Sequence, residues 1–212
     1  MSSCYLITAG PTHEPIDAVR YIANRSSGAM GVAIAQAARD AGCPVTLLLG
    51  PTTVKPPEGV RVERFESAAD LAQLLDKHFR ECDVLVMAAA VADYRPIAQQ
   101  AGKIERRAGK LTIELESTPD LVAACAARRR ADQYIVGFAL AAADQLAERA
   151  VEKLRRKSLD AIIANPLNTM GAADIEATVY TSDGKAYTPP TKQMDKPTFA
   201  RWLVEWIAQQ AK

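Results

Sequence analysis

Short apolar segments and longer amphipathic segments alternate along most of the chain. Five apolar runs, each bounded by turn-forming or charged residues, are typical of strands buried on both faces of a sheet. They cover residues 4–9, 45–49, 84–88, 134–138 and 161–164. Helical periodicity is found between them over residues 30–41, 68–80, 119–130 and 142–157. The alternation predicts right-handed crossovers and a mainly parallel sheet with helices on both sides, a Rossmann-like three-layer α/β/α fold.

Two segments depart from this alternation. Residues 110–116 alternate apolar and polar positions, which predicts an exposed strand with one buried face, and they follow a basic segment over residues 94–109. Residues 177–181 and 186–188 flank the sequence Ser-Asp-Gly-Lys, a strong β-hairpin signal. We expect these pieces to form a small extension or a contact between two copies of the chain. A last helix over residues 196–209 carries one apolar stripe and should pack on the core.

Composition narrows the class of protein. The 212 residues, 49% of them hydrophobic, are enough for one core, so we expect a single domain over residues 1–212. A net charge of +1 with interspersed signs disfavours nucleic acid or an anionic membrane as partner. The four cysteines lack metal-binding or redox spacing, and no signal peptide or long apolar run is present, which predicts a cytoplasmic protein. The two histidines do not suggest a metal site, and His78 is expected on the surface of its helix.

The loop over residues 10–31 joins the first predicted strand to the first predicted helix and carries the first candidate site. Unpaired N–H groups and the macrodipole at a helix start favour an anion, and Ser26, Ser27 and Gly28 are suited to bind a phosphate there. An ordinary serine cap, with glycines that relieve crowding against the sheet, explains the same residues. Arg20 can clamp an anion with two donors and Asn24 can orient a carbonyl, which favours a phosphorylated, carboxylate-bearing substrate.

A second group of candidate residues follows later strands. Asp93 comes after the small-residue run 88–92, at the carboxyl end of a strand, where an acid can bind a ribose hydroxyl or a magnesium ion. Lys153 and Lys157 share one helical face and could reach the same polyphosphate, and Lys103 on a mobile-looking loop could close over it. Basic residues in a last helical turn also stabilise the helix without any function.

Several catalytic motifs are missing from the sequence. It contains no Walker A motif, no Gly-x-Ser-x-Gly, no histidine near a suitable serine and no Tyr-x-x-x-Lys pair. Hydrolase and simple reductase functions are therefore disfavoured. An NAD(P) oxidoreductase is further disfavoured because the tight glycine turn of most dinucleotide folds is replaced by the long loop 10–31.

An ordered series of motifs is similar to one family. The motifs are Ile7-Thr-Ala-Gly-Pro-Thr-x-Glu-Pro-Ile-Asp17, Arg20-Tyr-Ile-Ala-Asn-x-Ser-Ser-Gly-x-Met-Gly31, Ala89-Ala-Val-Ala-Asp-Tyr94, Lys103-Ile104, Pro119-Asp-Leu121, Val136-Gly-Phe-Ala139 and Lys153-Leu-Arg-Arg-Lys-Ser-Leu-Asp160. Over nearly its whole length the chain resembles the bacterial phosphopantothenoylcysteine synthetases of coenzyme A biosynthesis. The block over residues 20–31 is highly specific to that family.

The resemblance implies a ligase that works in two steps. The carboxylate of 4′-phosphopantothenate would attack the α-phosphate of CTP to give an acyl-cytidylate, and the amine of cysteine would then displace CMP. It also implies that Asn24 contacts the activated acyl group, that Arg20 lies beside it and that Lys103 is needed to convert the intermediate. The remaining matches are nucleotide-site positions: Ala89, Asp93, Lys103, Pro119, Asp120, Phe138, Lys153 and Lys157. Magnesium is expected with the triphosphate, with Asp93 as its candidate ligand.

The resemblance further implies a homodimer in which a protruding segment of one subunit helps to cover the other's site. We expect residues 94–116 and the hairpin over residues 177–188 to make these contacts. Many relatives join this domain to a flavin-dependent decarboxylase, whereas here we expect it to stand alone, with a separate decarboxylase as possible partner.

Three departures from the family pattern leave alternatives open. Ala29 and Ala141 replace a lysine and an acid found in many relatives, and residues 103–107 read Lys-Ile-Glu-Arg-Arg instead of Lys-x-Lys-Lys. The same ligase reaction with ATP is one alternative. The other is a nucleotide-binding homologue without turnover that docks on a separate decarboxylase.

Overall fold

A computed structural model describes residues 2–106, 108–169 and 172–211, apart from the side chain of Asn168. Arg107, within the predicted contact segment 94–116, lies outside the described residues. The helices are α1 Ala29–Asp40, α2 Ala68–His78, α3 Leu121–Ala127, α4 Leu146–Arg156 and α5 Lys196–Gln210, with 3-10 turns at Phe79–Glu81 and Leu167–Thr169. The strands are β1 Tyr5–Ala9, β2 His13–Pro15, β3 Tyr21–Ala23, β4 Val45–Leu49, β5 Arg61–Arg64, β6 Val84–Met87, β7 Tyr94–Pro96, β8 Leu115–Ser117, β9 Tyr134–Ala141, β10 Ala161–Pro166, β11 Asp174–Ile175, β12 Thr178–Thr181, β13 Ala186–Tyr187 and β14 Met194–Asp195.

One eight-stranded sheet forms the centre of the fold, in the order β13-β12-β10-β9-β6-β1-β4-β5. The strands from β10 to β5 are parallel to one another, and β12 and β13 add an antiparallel hairpin at one edge. The predicted Rossmann-like α/β fold and its hairpin are therefore confirmed. The chain reverses its direction of winding between β1 and β6, which is the switch point where sheets of this kind bind ligands.

The two faces of the sheet bury two separate apolar cores. Because side chains alternate along a strand, Tyr5 and Ile7 of β1 face α1 and α5, whereas Leu6 faces the core formed with α2, α3 and α4. All three side chains are almost fully buried. Near-continuous apolar runs are thus required in these strands, which explains why the sequence reveals them so clearly. In the part of the chain that is described, no helix has the length and apolar character needed to cross a membrane.

Residues 110–116 do not form the predicted strand with one buried face. Only Leu115–Ser117 is a strand, and it pairs antiparallel with Tyr94–Pro96 in a ribbon separate from the main sheet. Leu111 is 62% exposed and Ile97 is 58% exposed. The prediction was wrong because alternating apolar residues indicate an apolar face, but neither apolar core of the described residues lies behind that face.

His78 is not the surface residue that was expected. It is 5% exposed, and its Nε2 lies 2.8 Å from Oε1 of Glu63 on β5. The strand β5 was not predicted, since Arg-Val-Glu-Arg is too short and too polar to show as an apolar run. Because β5 was not predicted, nothing in the sequence indicated that a strand lies beside His78, and its burial was not expected.

Candidate active site

A large cavity lies at the carboxyl end of β6, among residues of the central parallel strands and the segments around them. It has a volume of about 1050 Å³. Its walls are formed by the loop before α1, the loop after β6, the start of α3 and the last turn of α4. Sequence-predicted members of this lining are Asn24, Ser26, Ser27, Gly28, Ala89, Asp93, Pro119, Asp120, Phe138, Lys153 and Lys157. Tertiary structure therefore assembles residues that are spread over most of the sequence.

The first wall is the N-terminus of α1. Gly28 is its N-cap residue; it adopts a left-handed φ of 74°, which glycine does without strain, and it has no side chain that could cap the helix start. Oγ of Ser26 accepts from the N–H of Gly28 at 3.3 Å, and Oγ of Ser27 accepts from the N–H of Ala29 at 3.4 Å. The first turn contains no acidic residue. An uncapped helix start of this kind attracts an anion through its N–H groups and its dipole.

Close packing of α1 on β1 brings this helix start to the edge of the sheet. A Cβ atom at Gly31 would lie 2.6 Å from Cβ of Ala9 and 2.8 Å from the carbonyl oxygen of Thr8. Only glycine permits that approach, because any larger residue would push the helix away from the strand. Glycine at this position therefore sets the distance between the N-terminal turn of α1 and β1.

The loop after β6 is held by hydroxyl and amide side chains from the N-terminal part of the chain. Oγ1 of Thr12 accepts from the N–H of Ala92 at 3.0 Å, and Oγ1 of Thr8 accepts from the N–H of Ala89 at 3.0 Å. Nδ2 of Asn24 donates to the carbonyl oxygen of Val91 at 3.0 Å. With its amide nitrogen engaged, Asn24 has its amide oxygen left to accept from a ligand.

The basic wall is formed by two lysines near the end of α4. Nζ of Lys153 donates to the carbonyl oxygen of Phe138 at 2.8 Å, and Nζ of Lys157 lies 2.9 Å from Oδ2 of Asp120. Burial and the positive charge of Lys157 lower the pKa of Lys153 to about 8, although Asp120 and Asp93 oppose the shift. Burial works against ionisation of Asp120, but hydrogen bonds from Lys157 and from the N–H of Ala123 outweigh it and lower the pKa of Asp120.

Asp93 is the candidate metal ligand. It is exposed at the cavity, and the carbonyl oxygen of Asp93 accepts from the N–H of Thr118 at 2.9 Å. In the described part of the chain, no group of three or more His, Cys, Asp or Glu side chains is arranged to hold a metal ion. A single carboxylate fits a magnesium ion that arrives with a triphosphate, because such an ion keeps most of its ligands from phosphate and water.

Arg20 and Lys103 do not line this cavity of their own chain. The guanidinium of Arg20 donates through Nη1 to Asp17 at 2.9 Å and through Nη2 to the carbonyl oxygen of Ile104 at 3.1 Å. Lys103 is the residue before Ile104 and is exposed. Arg20 is thus bonded to the residue next to Lys103, and both lie outside the lining that contains the lysine pair of α4.

Comparison with known proteins decides the family. A family model described as the DNA/pantothenate metabolism flavoprotein C-terminal domain matches residues 2–211. The chain belongs to this family. The resemblance identified from the motifs is therefore confirmed at the level of the family.

Individual relatives of this domain family show how much of a longer protein the chain matches. It is 45% identical over 167 residues to a cysteine/cysteine sulfinic acid decarboxylase from an unknown prokaryotic organism, a match that covers 78% of this chain and 46% of that protein. It is 40% identical over 194 residues to the coenzyme A biosynthesis bifunctional protein CoaBC of Vibrio cholerae, covering 89% of this chain and 48% of that protein. The chain spans about half the length of the curated relatives it matches.

A solved member of the family has the same fold. The crystal structure of the C-terminal domain of coenzyme A biosynthesis bifunctional protein CoaBC superposes with a TM-score of 0.84 at 36% identity. The match covers 98% of this chain and 95% of that one.

Some residues that line the cavity were not predicted as site residues from the sequence. They are Arg156, Asn165, Thr169 and Lys196. Asn165 directly follows the predicted strand 161–164, so its place at a strand's carboxyl end was the available signal. The sequence offered no such signal for Lys196, because a lysine at the start of a helix opposes the helix dipole and does not indicate a binding site. Its Nζ donates to the carbonyl oxygen of Ala172, and burial lowers its pKa.

Proposed function

We propose that the chain is a single ligase domain over residues 1–212 that joins 4′-phosphopantothenate to cysteine with CTP in coenzyme A biosynthesis. The observation that carries this proposal is one cavity that combines the uncapped start of α1, Asn24 and the Lys153–Lys157 pair. A helix N-terminus and two ammonium groups suit a reaction whose substrates carry several phosphoryl groups. The similarity to CoaBC, whose name describes a bifunctional protein of coenzyme A biosynthesis, supports the assignment.

The chemistry explains why such a cavity needs no side-chain nucleophile. A carboxylate acylates an amine only after it gains a leaving group. In the proposed first step, a carboxylate oxygen of phosphopantothenate attacks the α-phosphorus of CTP, and the bond to pyrophosphate breaks. In the second, the deprotonated amine of cysteine attacks the acyl carbon, the bond to CMP breaks, and phosphopantothenoylcysteine is released. Positioning and fixed positive charge can provide most of the rate acceleration for both steps.

Each part of the cavity takes one role in this proposal. Ser26, Ser27 and Gly28 bind the phosphate of phosphopantothenate, while Asn24 orients the acyl group through its free amide oxygen. Lys153 and Lys157 bind the phosphates of the nucleotide, and the remaining predicted nucleotide positions are Ala89, Asp93, Pro119, Asp120 and Phe138. Magnesium bound with CTP would neutralise charge at the departing pyrophosphate, with Asp93 as its protein ligand.

A homodimer would complete the site. The segment over residues 94–116 exposes the apolar side chains of Tyr94, Ile97, Leu111 and Leu115, and no core formed by the described residues covers them. Exposed apolar side chains grouped on one segment mark a contact surface. A second copy of the chain is the partner we propose, with the hairpin over residues 177–188 as a further contact. Lys103 on this segment, and Arg20 bonded to the neighbouring Ile104, then reach the partner's cavity, which agrees with their absence from the lining of their own.

A nucleotide-binding homologue without turnover is the second candidate function. Ala29 is the first residue of α1 and lines the cavity without a charge, and Ala141 at the end of β9 is 5% exposed and offers no acid. The curated relatives are about twice as long as this chain, so they contain a further part that this chain does not match. We propose that a separate flavin-dependent decarboxylase in the cytoplasm is the partner of such a homologue.

Pyrophosphate release tests the ligase proposal. Purified protein should release pyrophosphate only when CTP, magnesium and phosphopantothenate are present together, and product should form when cysteine is added. Parallel reactions with ATP determine the nucleotide. Asn24→Ala should slow acyl-cytidylate formation, and Lys103→Gln should let the acyl-cytidylate accumulate. Nucleotide binding without pyrophosphate release, unchanged by either substitution, would instead support the second candidate.

A further inference from the structure

Asp17 is a buried carboxylate to which the reaction proposed above assigns no role. Its side chain is 0% exposed. Oδ1 accepts from the N–H groups of Val19 at 2.8 Å and Arg20 at 2.7 Å. Oδ2 accepts from Nη1 of Arg20 at 2.9 Å and from the N–H of Ile104 at 3.0 Å. The carboxylate is therefore satisfied by four donors.

The bonds on Oδ1 are those of an ordinary turn, but the bond to Ile104 is not local. It joins two loops that are 87 residues apart in sequence. Two further hydrogen bonds join the same loops: Nη2 of Arg20 donates to the carbonyl oxygen of Ile104 at 3.1 Å, and the N–H of Gln100 donates to the carbonyl oxygen of Ile16 at 3.1 Å. Asp17 thus lies at the centre of a contact that includes both backbone groups of Ile104.

The charges around Asp17 agree with a fixed, ionised carboxylate. Burial opposes its ionisation, but hydrogen bonds from Ile104, Val19 and Arg20, with the positive charge of Arg20, outweigh it and lower its pKa. A neutral amide at this position would turn an NH₂ group toward one of these donors, so at least one hydrogen bond would be lost.

We propose that Asp17 is a positioning residue that holds the loop carrying Lys103 against the loop carrying Arg20. This inference rests on the ligase function proposed above. Lys103 directly precedes the residue that Asp17 binds, so the contact fixes the backbone from which the Lys103 side chain extends. Asp17 acts through Lys103 and Arg20 and does not touch the reacting atoms. Its role belongs to the second chemical step, to which the function proposed above assigns Lys103.

Separate measurement of the two steps tests this role. Asp17→Asn should slow conversion of the acyl-cytidylate on the order of 10- to 100-fold, because small displacements of a catalytic group have effects of that size. Acyl-cytidylate formation, measured as pyrophosphate release in a single turnover, should change much less. Combined with Lys103→Gln, the substitution should add no further loss. Full additivity of the two losses, or equal slowing of both steps, would overturn the proposal.

Ile104→Pro disrupts the same contact from the other loop, and it replaces Asp17→Asn in this test if that variant does not fold. It removes the N–H that donates to Asp17 and should reproduce the slow second step. Glu105→Pro is the matched control, since the N–H of Glu105 takes no part in this contact. Asp160→Asn is the control for loss of a carboxylate, because Asp160 also accepts from an arginine, at 2.7 Å, and from a backbone N–H. If Ile104→Pro and Glu105→Pro behave alike, the proposal is wrong.

A readout that does not depend on catalysis separates this inference from the proposed function. Trypsin should cleave after Lys103 and Arg106 faster in the Asp17→Asn variant than in the wild-type protein or in the Asp160→Asn variant, because the loop is then less firmly held. Unchanged cleavage would show that Asp17 does not hold the loop, whatever the reaction. Faster cleavage in a protein that makes no acyl-cytidylate would confirm the contact and refute the ligase instead.

Discussion

Nζ of Lys157 lies 2.9 Å from Oδ2 of Asp120, and this ion pair joins the last turn of α4 to the start of α3. Asp120 is also the N-cap residue of α3, where Oδ1 accepts from the N–H of Ala123 at 3.2 Å. One carboxylate therefore caps a helix and orients a lysine toward the cavity. A ligand phosphate would compete with Asp120 for the same ammonium group.

Lys157→Met should weaken CTP binding by about tenfold or more, because a hydrogen bond to a charged group contributes about 1.5–3 kcal/mol. Isothermal titration calorimetry at constant ionic strength measures the change. Arg129→Met is the control, since Arg129 pairs with Asp160 next to the amino end of β10, away from the cavity. Equal CTP affinity in the Lys157→Met and Arg129→Met variants would contradict a phosphate-binding role for Lys157.

CTP binding should weaken as the pH rises through about 8, because the free protein then loses the proton of Lys153. Above that pH, binding should take up a proton, which calorimetry detects by comparing buffers of different ionisation enthalpy. Lys153→Arg should abolish both effects because arginine stays charged. A dissociation constant that is flat from pH 7 to 9 without proton uptake would refute this prediction.

The same shift in the pKa of Lys153 has a consequence for stability. The pKa falls from 10.5 to about 8 on folding, so the unfolded chain binds more protons than the native protein between these values. The contribution of Lys153 to the free energy of unfolding should therefore rise with pH in that window. Urea unfolding of the unchanged protein and of Lys153→Met at pH 7.5 and 9.5 isolates this contribution, and a difference between them that does not change with pH would contradict it.

Gly28→Ala should reduce phosphopantothenate affinity, whereas Gly42→Ala should not. Both glycines have φ near +75°, so each substitution is expected to lower the free energy of unfolding by about 1–2 kcal/mol. A Cβ atom at Gly28 would also lie 3.1 Å from the backbone nitrogen of Gly10, but one at Gly42 would meet nothing within 4 Å. Only the first substitution moves the start of α1. Urea unfolding and calorimetry measure the two quantities, and equal affinities in both variants would argue against phosphate binding there.

Leu111→Lys should convert the proposed homodimer into a monomer, because a charge would be buried in an apolar contact. Sedimentation velocity at micromolar concentration measures the change, and circular dichroism checks that the fold is kept. Leu167→Lys is the control, since Leu167 is an exposed apolar residue outside the contact segments. A protein that sediments as a monomer before any substitution would refute the dimer.

The central strands and most helices were predictable because burial on both faces demands apolar runs and helical periodicity. Predictions failed where a partner element decides the structure. β9 continues past Phe138 to Ala141 because it pairs with β10 as far as Pro166, and so α4 begins later than its periodicity suggested. His78 became buried only because β5, itself invisible in the pattern, lies beside it.

The sequence by itself determined the alternation of strands and helices, the family and the residue types that suit phosphate. Those features depend on local pattern and on motifs that are contiguous in the chain. Only the tertiary structure decided which of these residues meet. Asp93 follows the end of β6, Asn24 is bonded to Val91 of the same loop, and the end of α4 places Lys153 and Lys157 on the same cavity. Arg20 is instead joined to the residue after Lys103 through Asp17, outside that lining. Hydrogen bonds across 87 residues leave no periodic trace in a sequence, so no pattern could have shown that separation.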